Sequence, residues 1–314
     1  MTVRQRTIVL SGVADTFRRA AAITCSGGDA PYTAAAMQTL RTDDGLSLQL
    51  QRWPAAGEAR GTVLIVHGLG EHIGRHDHVA RQLNEWGWHV AGPDQRGHGT
   101  SGGARGGLSS DDDLLRDLAL VIDVVRPSAD GPLVLLGHSM GGMVAGRFVA
   151  EGLAEAPAAW WREVDALVLS SPALAADTSV VQQTLLAIGR AAPDFPVKNG
   201  LKPAWISRDP AVVQAYRDDP LVHDRLTPRL ARFVLDGGAL VRERAARWRT
   251  PTLLMWAGAD RCVAPRGSAE FAGAAPAGVV TCREWPGLAH EIFNEPEQAE
   301  VLAELGRWLA SRGH

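Results

Sequence analysis

Hydrophobic and polar positions alternate in two distinct rhythms along the chain. Leu46-Ser47-Leu48-Gln49-Leu50-Gln51-Arg52-Trp53 repeats with period two, the pattern of a half-buried antiparallel strand. Thr62–Val66, Leu133–Leu136, Ala166–Leu169 and Thr252–Trp256 are instead continuously apolar and rich in branched side chains, and a last strand is expected over Val279–Trp285. Runs of that kind suit strands covered on both faces of a parallel sheet. Helical spacing occupies 76–86, 112–125, 140–151, 266–274 and 296–310. Strands alternating with helices predict an α/β protein with a mostly parallel central sheet flanked by helices. No self-similarity at a fixed period of tens of residues points to a repeat array.

The alternation stops over 173–238. Val180, Val181, Thr184, Leu185 and Ile188 form a helical stripe, followed by Pro193, Pro196 and Pro203 and a second helical stretch near 211–217. A segment without a clear strand, placed after the sixth core strand, predicts a helical cap covering a crevice at the carboxyl ends of the strands. The expected organisation is an N-terminal extension (1–36), a core (37–172 and 239–314) and the cap. Met37 lies just ahead of the first strand-like run and is an alternative start.

Gly137-His138-Ser139-Met140-Gly141 matches the G-x-S-x-G pattern, in which a serine sits on a tight strand-to-helix turn. A Cβ at either glycine is expected to collide in so sharp a turn. Gly99-Thr100-Ser101-Gly102-Gly103 matches as well, but no strand immediately precedes it and a loop follows. Only Ser139 follows an apolar strand and precedes a helix, so Ser139 is the candidate nucleophile. A serine hydroxyl needs a base to take its proton. His290 follows the last strand and precedes the terminal helix; Asp260 follows the strand Thr252–Trp256. Their order after the serine is that of a Ser…Asp…His triad, with Asp165 and Asp177 as rival acids. His67-Gly68-Leu69-Gly70 follows Thr62–Val66, and the Leu69 and Met140 N–H groups are the expected oxyanion donors.

Composition narrows the reading further. The 314 residues are 46% hydrophobic and 21% charged, which excludes wholesale disorder and low-complexity fibres. No uninterrupted apolar stretch is long enough for a polytopic membrane protein. A formal charge of −3 argues against nucleic acid as a partner. The 32 basic residues include only two lysines, Lys198 and Lys202, which reads as compositional bias rather than functional choice. Cys25, Cys262 and Cys282 make an odd number without metal-site spacing and suit free thiols in a reducing compartment. Arg4 and Arg6 precede too short an apolar run for a secretion signal, so a cytoplasmic location is expected. His67, His72, His76 and His78 invite a metal reading but match no zinc motif; no metal and no cofactor are expected. Asp111-Asp112-Asp113 reads as complementing a helix N-terminus.

Taken together, His67-Gly68-Leu69-Gly70-Glu71-His72, Asp94-Gln95-Arg96-Gly97-His98-Gly99, Gly137-His138-Ser139-Met140-Gly141-Gly142, Asp219-Pro220-Leu221-Val222, Gly258-Ala259-Asp260 and His290-Glu291-Ile292-Phe293 resemble the monoacylglycerol lipase-like branch of the α/β-hydrolases, which includes bacterial lysophospholipases. The resemblance covers about residues 38–312. It implies an α/β-hydrolase fold and a cofactor-free serine esterase acting on single-chain lipid esters beneath a helical cap. Its nucleophile, acid and base fall on Ser139, Asp260 and His290, and its oxyanion donors on Leu69 and Met140. Leu174, Leu185, Leu186 and Ile188 are the expected acyl contacts, and any contact of the cap with membranes or lipid aggregates is expected to be transient. Rival readings are a lysophospholipase, a short-chain carboxylesterase, an acyltransferase and a non-catalytic binding protein of the same fold.

Overall fold

A computed structural model describes residues 36–126, 131–177 and 192–312. An eight-stranded sheet has the order β1-β2-β4-β3-β5-β6-β9-β10. Its strands are β1 (Ala36–Arg41), β2 (Ser47–Trp53), β3 (Thr62–Val66), β4 (His89–Pro93), β5 (Leu133–His138), β6 (Ala166–Ser170), β9 (Thr252–Ala257) and β10 (Val280–Trp285). β1 pairs antiparallel with β2, and β2 with β4; β4, β3, β5, β6, β9 and β10 run parallel.

Successive residues of the central strands feed two different cores, which explains their continuously apolar sequences. Leu64 and Val66 of β3, Leu135 of β5, Leu169 of β6 and Leu254 of β9 enter one core. Val63 and Ile65, Leu136, Val168 and Met255 point the other way into the second. The first core is roofed by α2 (Asp113–Val125), α3 (Met140–Glu151), α5 (Pro228–Arg244) and α6 (Pro265–Ala274). The second is closed by α1 (Asp77–Glu85) and α7 (Gln298–Ala310).

Several features depart from the sequence expectation. β1 holds Met37 inside a strand, paired with Gln51, rather than ahead of one. β4 was not anticipated, because Gly92 and Pro93 interrupt a short run. The segment between β6 and β9 is not strand-free: β7 (Val197–Lys198) pairs antiparallel with β8 (Arg225–Leu226). It also contains α4 (Pro210–Asp218), where the second helical stretch was expected. The stripe from Val180 to Ile188 lies outside the described residues. α5 runs unbroken across position 238 and buries Leu230, Phe233 and Val241 in the first core. There Gly237 meets the Met143 thioether and Gly238 the carbonyl oxygens of Ala173 and Leu174, contacts that leave no room for a Cβ. The helix therefore packs on the core on both sides of that position.

The inserted segment is fastened to the core by polar contacts. The buried Glu295 carboxylate accepts from Ser207 Oγ at 2.8 Å, from Arg208 N at 2.6 Å and from Ala289 N at 2.8 Å. His72 Nε2–H donates to Asp219 at 2.8 Å, and His223 N–H to Gly70 O at 2.9 Å. Among the described residues, no helix is long and apolar enough to cross a membrane.

Candidate active site

β5 lies between β3 and β6 in the middle of the sheet, and Ser139 stands where β5 turns into α3. Its backbone sits at φ 54° and ψ −120°, a strained conformation for a residue with a Cβ. The turn is held by Ser139 N–H donating to Ser170 O at 3.0 Å, and by Ala173 and Met143 N–H donating to Ser139 O at 2.9 and 3.0 Å. The expected need for the flanking glycines holds: a Cβ on Gly137 would lie 2.5 Å from Gly141 O, and one on Gly141 would run into the Val66 and His67 carbonyls.

Ser139 Oγ is 2.8 Å from His290 Nε2, and His290 Nδ1 is 2.6 Å from Asp260 Oδ2. The other Asp260 oxygen accepts from Cys262 N at 2.7 Å and Val263 N at 3.1 Å, which fixes the carboxylate. With the carboxylate facing Nδ1, the neutral ring carries its proton there and leaves Nε2 free to accept from Ser139. Burial pushes the His290 pKa down; the Asp260 carboxylate, with Glu291 and Glu71 behind it, outweighs burial and the net shift is upward. His138 stacks 4.8 Å from His290 but is held neutral, its pKa pushed down to about 4 by burial and by His290. It therefore adds no positive charge against the His290 imidazolium near neutral pH.

The loop after β3 approaches Ser139 closely; a Cβ on Gly68 would lie 3.1 Å from Ser139 Cβ. His67 orders this loop, donating from Nδ1 to Gly68 O at 2.8 Å and accepting at Nε2 from Gln95 N at 2.9 Å. Gly68 N–H donates to Glu71 Oε1 at 2.5 Å. Leu69 and Met140 both border a cavity with Ser139, and Met140 opens α3, where the first N–H groups have no intrahelical acceptor.

A buried ion network, whose Arg75 lies outside every motif, ties this loop to the base. Arg75 Nη1 reaches Glu71 Oε2 at 2.7 Å, and its guanidinium grips both oxygens of Glu291 at 2.6 and 2.8 Å. Glu291 is the residue after His290. The Tyr216 ring of α4 covers Arg75, with its centroid 4.7 Å away. Burial disfavours the charge on Glu71, yet His76 and Arg75 hold its carboxyl well below the ordinary range.

The remaining candidates are placed as follows. Ser101 Oγ donates to Asp94 O at 2.6 Å and accepts from Gln49 N at 2.8 Å, a structural role away from His290. Asp165 accepts from Leu133 N, and Asp177 pairs with Arg266. Asp113 accepts from Ser109 and Ser110 N–H just before α2 and faces Arg96. The four clustered histidines go to different partners: His67 to Gln95, His72 to Asp219, His76 to Glu71 and His78 to Phe293 O. Among the described residues, one trio could offer ligand atoms to a metal, Asp260, Cys262 and His290; two of its members already bond to each other. Leu174 is not among the side chains that wall the cavity: it is 1% exposed and packs in the first core. Leu185, Leu186 and Ile188 lie outside the described residues.

Two cavities meet at Ser139. One, of about 180 Å³, is apolar and is walled by Val197, Leu226, Ala231, Val234 and Leu235. The other, about 30 Å³, is lined by Glu71, Glu291, His290, Tyr216 and Lys202.

The charges give two expectations. Replacing Asp260 with Asn removes the strongest of the contacts that raise the His290 pKa, while Glu291 and Glu71 remain, so His290 should titrate lower than in the wild type. NMR of the imidazole protons against pH measures this, and an unchanged pKa would refute the attribution. Arg75→Met leaves Glu71 and Glu291 buried without their shared cation and should cost about 3–5 kcal/mol in urea unfolding. Adding Glu291→Gln to it should recover part of that loss.

Comparison with known proteins identifies the family. A family model described as "Serine aminopeptidase, S33" matches residues 57–297. The chain is 36% identical to a monoacylglycerol lipase of Mycolicibacterium smegmatis, over 85% of this chain and 94% of that one. It is 32% identical to phospholipase YtpA of Bacillus subtilis, over 76% and 91%. A crystal structure of Paleococcus ferrophilus monoacylglycerol lipase superposes with a TM-score of 0.74 at 34% identity, covering 84% of this chain and 99% of that one. On these matches, the chain belongs to the Hydrolase_4 (S33) family and has the α/β-hydrolase fold.

Proposed function

We propose that this protein is a serine hydrolase that cleaves the ester of a monoacylglycerol through an acyl-serine intermediate. The observation that carries the reading is the hydrogen-bonded chain Ser139–His290–Asp260 at the junction of a larger apolar cavity and a smaller one that also carries charged side chains. An apolar cavity suits an acyl chain, and the smaller, mixed one suits the alcohol it esterifies.

In the proposed mechanism Ser139 Oγ attacks the ester carbonyl while His290 Nε2 takes its proton. The Leu69 and Met140 N–H groups bind the oxyanion, each donor of this type contributing about 10²–10³ in rate. His290 then gives the proton to the leaving glycerol oxygen as the carbon–oxygen bond breaks. Water repeats the sequence on the acyl-serine, releasing the fatty acid and restoring Ser139. Asp260 keeps the imidazole in the required tautomer and stabilises its charged form. No step needs a metal or cofactor.

The segment 173–238 serves in this proposal as the cap. Its contribution to the apolar wall comes from Val197, Leu226, Ala231, Val234 and Leu235 rather than from Leu174. Transient contact of the segment with lipid aggregates is proposed, with Phe195, 67% exposed, its one large apolar side chain exposed among the described residues. A cytoplasmic setting is proposed from the odd number of cysteines. A peptidase activity, which the family's description raises, calls for a carboxylate to take a substrate's α-ammonium; Glu71 and Glu291 both face Arg75 instead.

Initial rates on a long-chain monoacylglycerol, short- and long-chain nitrophenyl esters and an aminoacyl nitroanilide test the proposal, with Ser139→Ala as the blank. The monoacylglycerol should give the highest kcat/KM, and Ser139→Ala should lose fluorophosphonate labelling. Turnover confined to the short nitrophenyl ester would make the protein a general carboxylesterase. Undiminished labelling of Ser139→Ala would remove the nucleophile assignment.

A further inference from the structure

Residues 219–223 join α4 to β8 and line neither of the two cavities at Ser139. They touch instead the loop that carries Leu69. His223 N–H donates to Gly70 O at 2.9 Å. Gly70 takes φ 77°, and a Cβ there would run into His223 O, so the two backbones meet with no side chain between them. Two residues further along the loop, His72 Nε2–H donates to Asp219 Oδ2 at 2.8 Å.

Both partners in the insert are themselves held. Asp219 Oδ1 accepts from Leu221 N–H at 2.8 Å, and Asp219 O from Val222 N–H at 3.2 Å. These bonds fold 219–222 into a turn from which His223 N–H meets Gly70. The His223 ring donates from Nε2 to Gly97 O at 3.1 Å and accepts at Nδ1 from Arg225 N–H at 3.1 Å. Only a neutral imidazole can do both. Burial and the Arg105 guanidinium push the His223 pKa down and so keep the ring in that form. Thr227 N–H completes the seating on the core, donating to Gly106 O at 2.9 Å.

The loop after β3 is thus gripped from two sides. On the core side His67 holds Gly68 O, which belongs to the same peptide as the Leu69 N–H. On the insert side His223 holds Gly70 O, and Leu69 is the one residue between. An oxyanion donor has its full effect only when its N–H already points to where the charge develops. We infer, on the ester-hydrolase reading above, that Asp219 and His223 are positioning residues for the oxyanion donor at Leu69. Lifting residues 219–227 would carry Gly70 with them, so this part of the insert stays seated on the core while substrate enters past other parts.

Asp219→Ala and His223→Ala test this, with nitrophenyl butyrate as substrate and two inhibitors. A long-chain alkyl trifluoromethyl ketone becomes an oxyanion when Ser139 adds to it, whereas a 1-O-alkyl glycerol ether has no carbonyl. Each alanine variant should lose about ten-fold in kcat with KM within about two-fold of wild type. Its Ki for the ketone should rise by the factor that kcat falls, and its Ki for the ether should not move. The double variant should lose little more than either single one, because both act through one contact. The milder Asp219→Asn and His223→Gln should lose about three-fold, in kcat and ketone Ki alike, and decide the matter if an alanine variant does not fold. A ketone Ki that does not follow kcat, an ether Ki that rises with it, or an unchanged kcat would overturn the proposal. If the wild type hydrolyses nitrophenyl butyrate and no monoacylglycerol, the lipid reading fails, and kcat, KM and ketone Ki still decide the positioning. A wild type without any esterase activity would remove the ester-hydrolase reading and this inference together.

Discussion

Arg75 carries a constraint on which the rest of the site depends. Its guanidinium is the shared counter-ion of Glu71 and Glu291, and all three side chains are at most about one-tenth exposed. Buried carboxylates are tolerated only when paired with good geometry, so the three groups admit little relative movement. Glu71 holds Gly68 N–H, next to Leu69, and Glu291 follows His290. The pairing thus sets the distance between the loop after β3 and the imidazole, although Arg75 itself is not bonded to Ser139 or His290. Tyr216 extends the same constraint to the inserted segment.

The sheet supplies the second requirement, four loops converging on one edge. β3, β5, β9 and β10 run parallel, so the segments that follow them emerge at their carboxyl ends. Two cores bury the strands on both faces, which leaves the site in surroundings of low dielectric. Charges there interact strongly: Asp260, together with Glu291 and Glu71, outweighs the burial of His290, while His138, which no carboxylate bonds, stays neutral. The strain at Ser139 is sustained because Ser170, Ala173 and Met143 bond its backbone from three directions.

Local patterns carried much of this. Continuous apolar runs predicted strands buried on both faces, and the strand–turn–helix setting separated Ser139 from Ser101. What escaped lacked a local signature. Arg75 and Glu291 are 216 positions apart, and nothing near either names the other. β4 is short and ends in Gly92-Pro93, so its composition reads as a turn. Leu174 is apolar and adjoins the insert, but apolarity alone does not distinguish a cavity wall from a core.

The account's central claim is that ester chemistry occurs at Ser139 with acyl and alcohol groups on opposite sides. A crystal structure of the enzyme inactivated by a phosphonate bearing a long alkyl chain and a glyceryl group tests it most directly. The account predicts phosphorus bonded to Ser139 Oγ, its oxygen at the Leu69 and Met140 N–H groups, and the chain against Val234 and Leu235. The glyceryl group should lie between Glu71 and Lys202. Phosphorus on any other residue, or the alkyl chain lodged in the polar cavity, would contradict it.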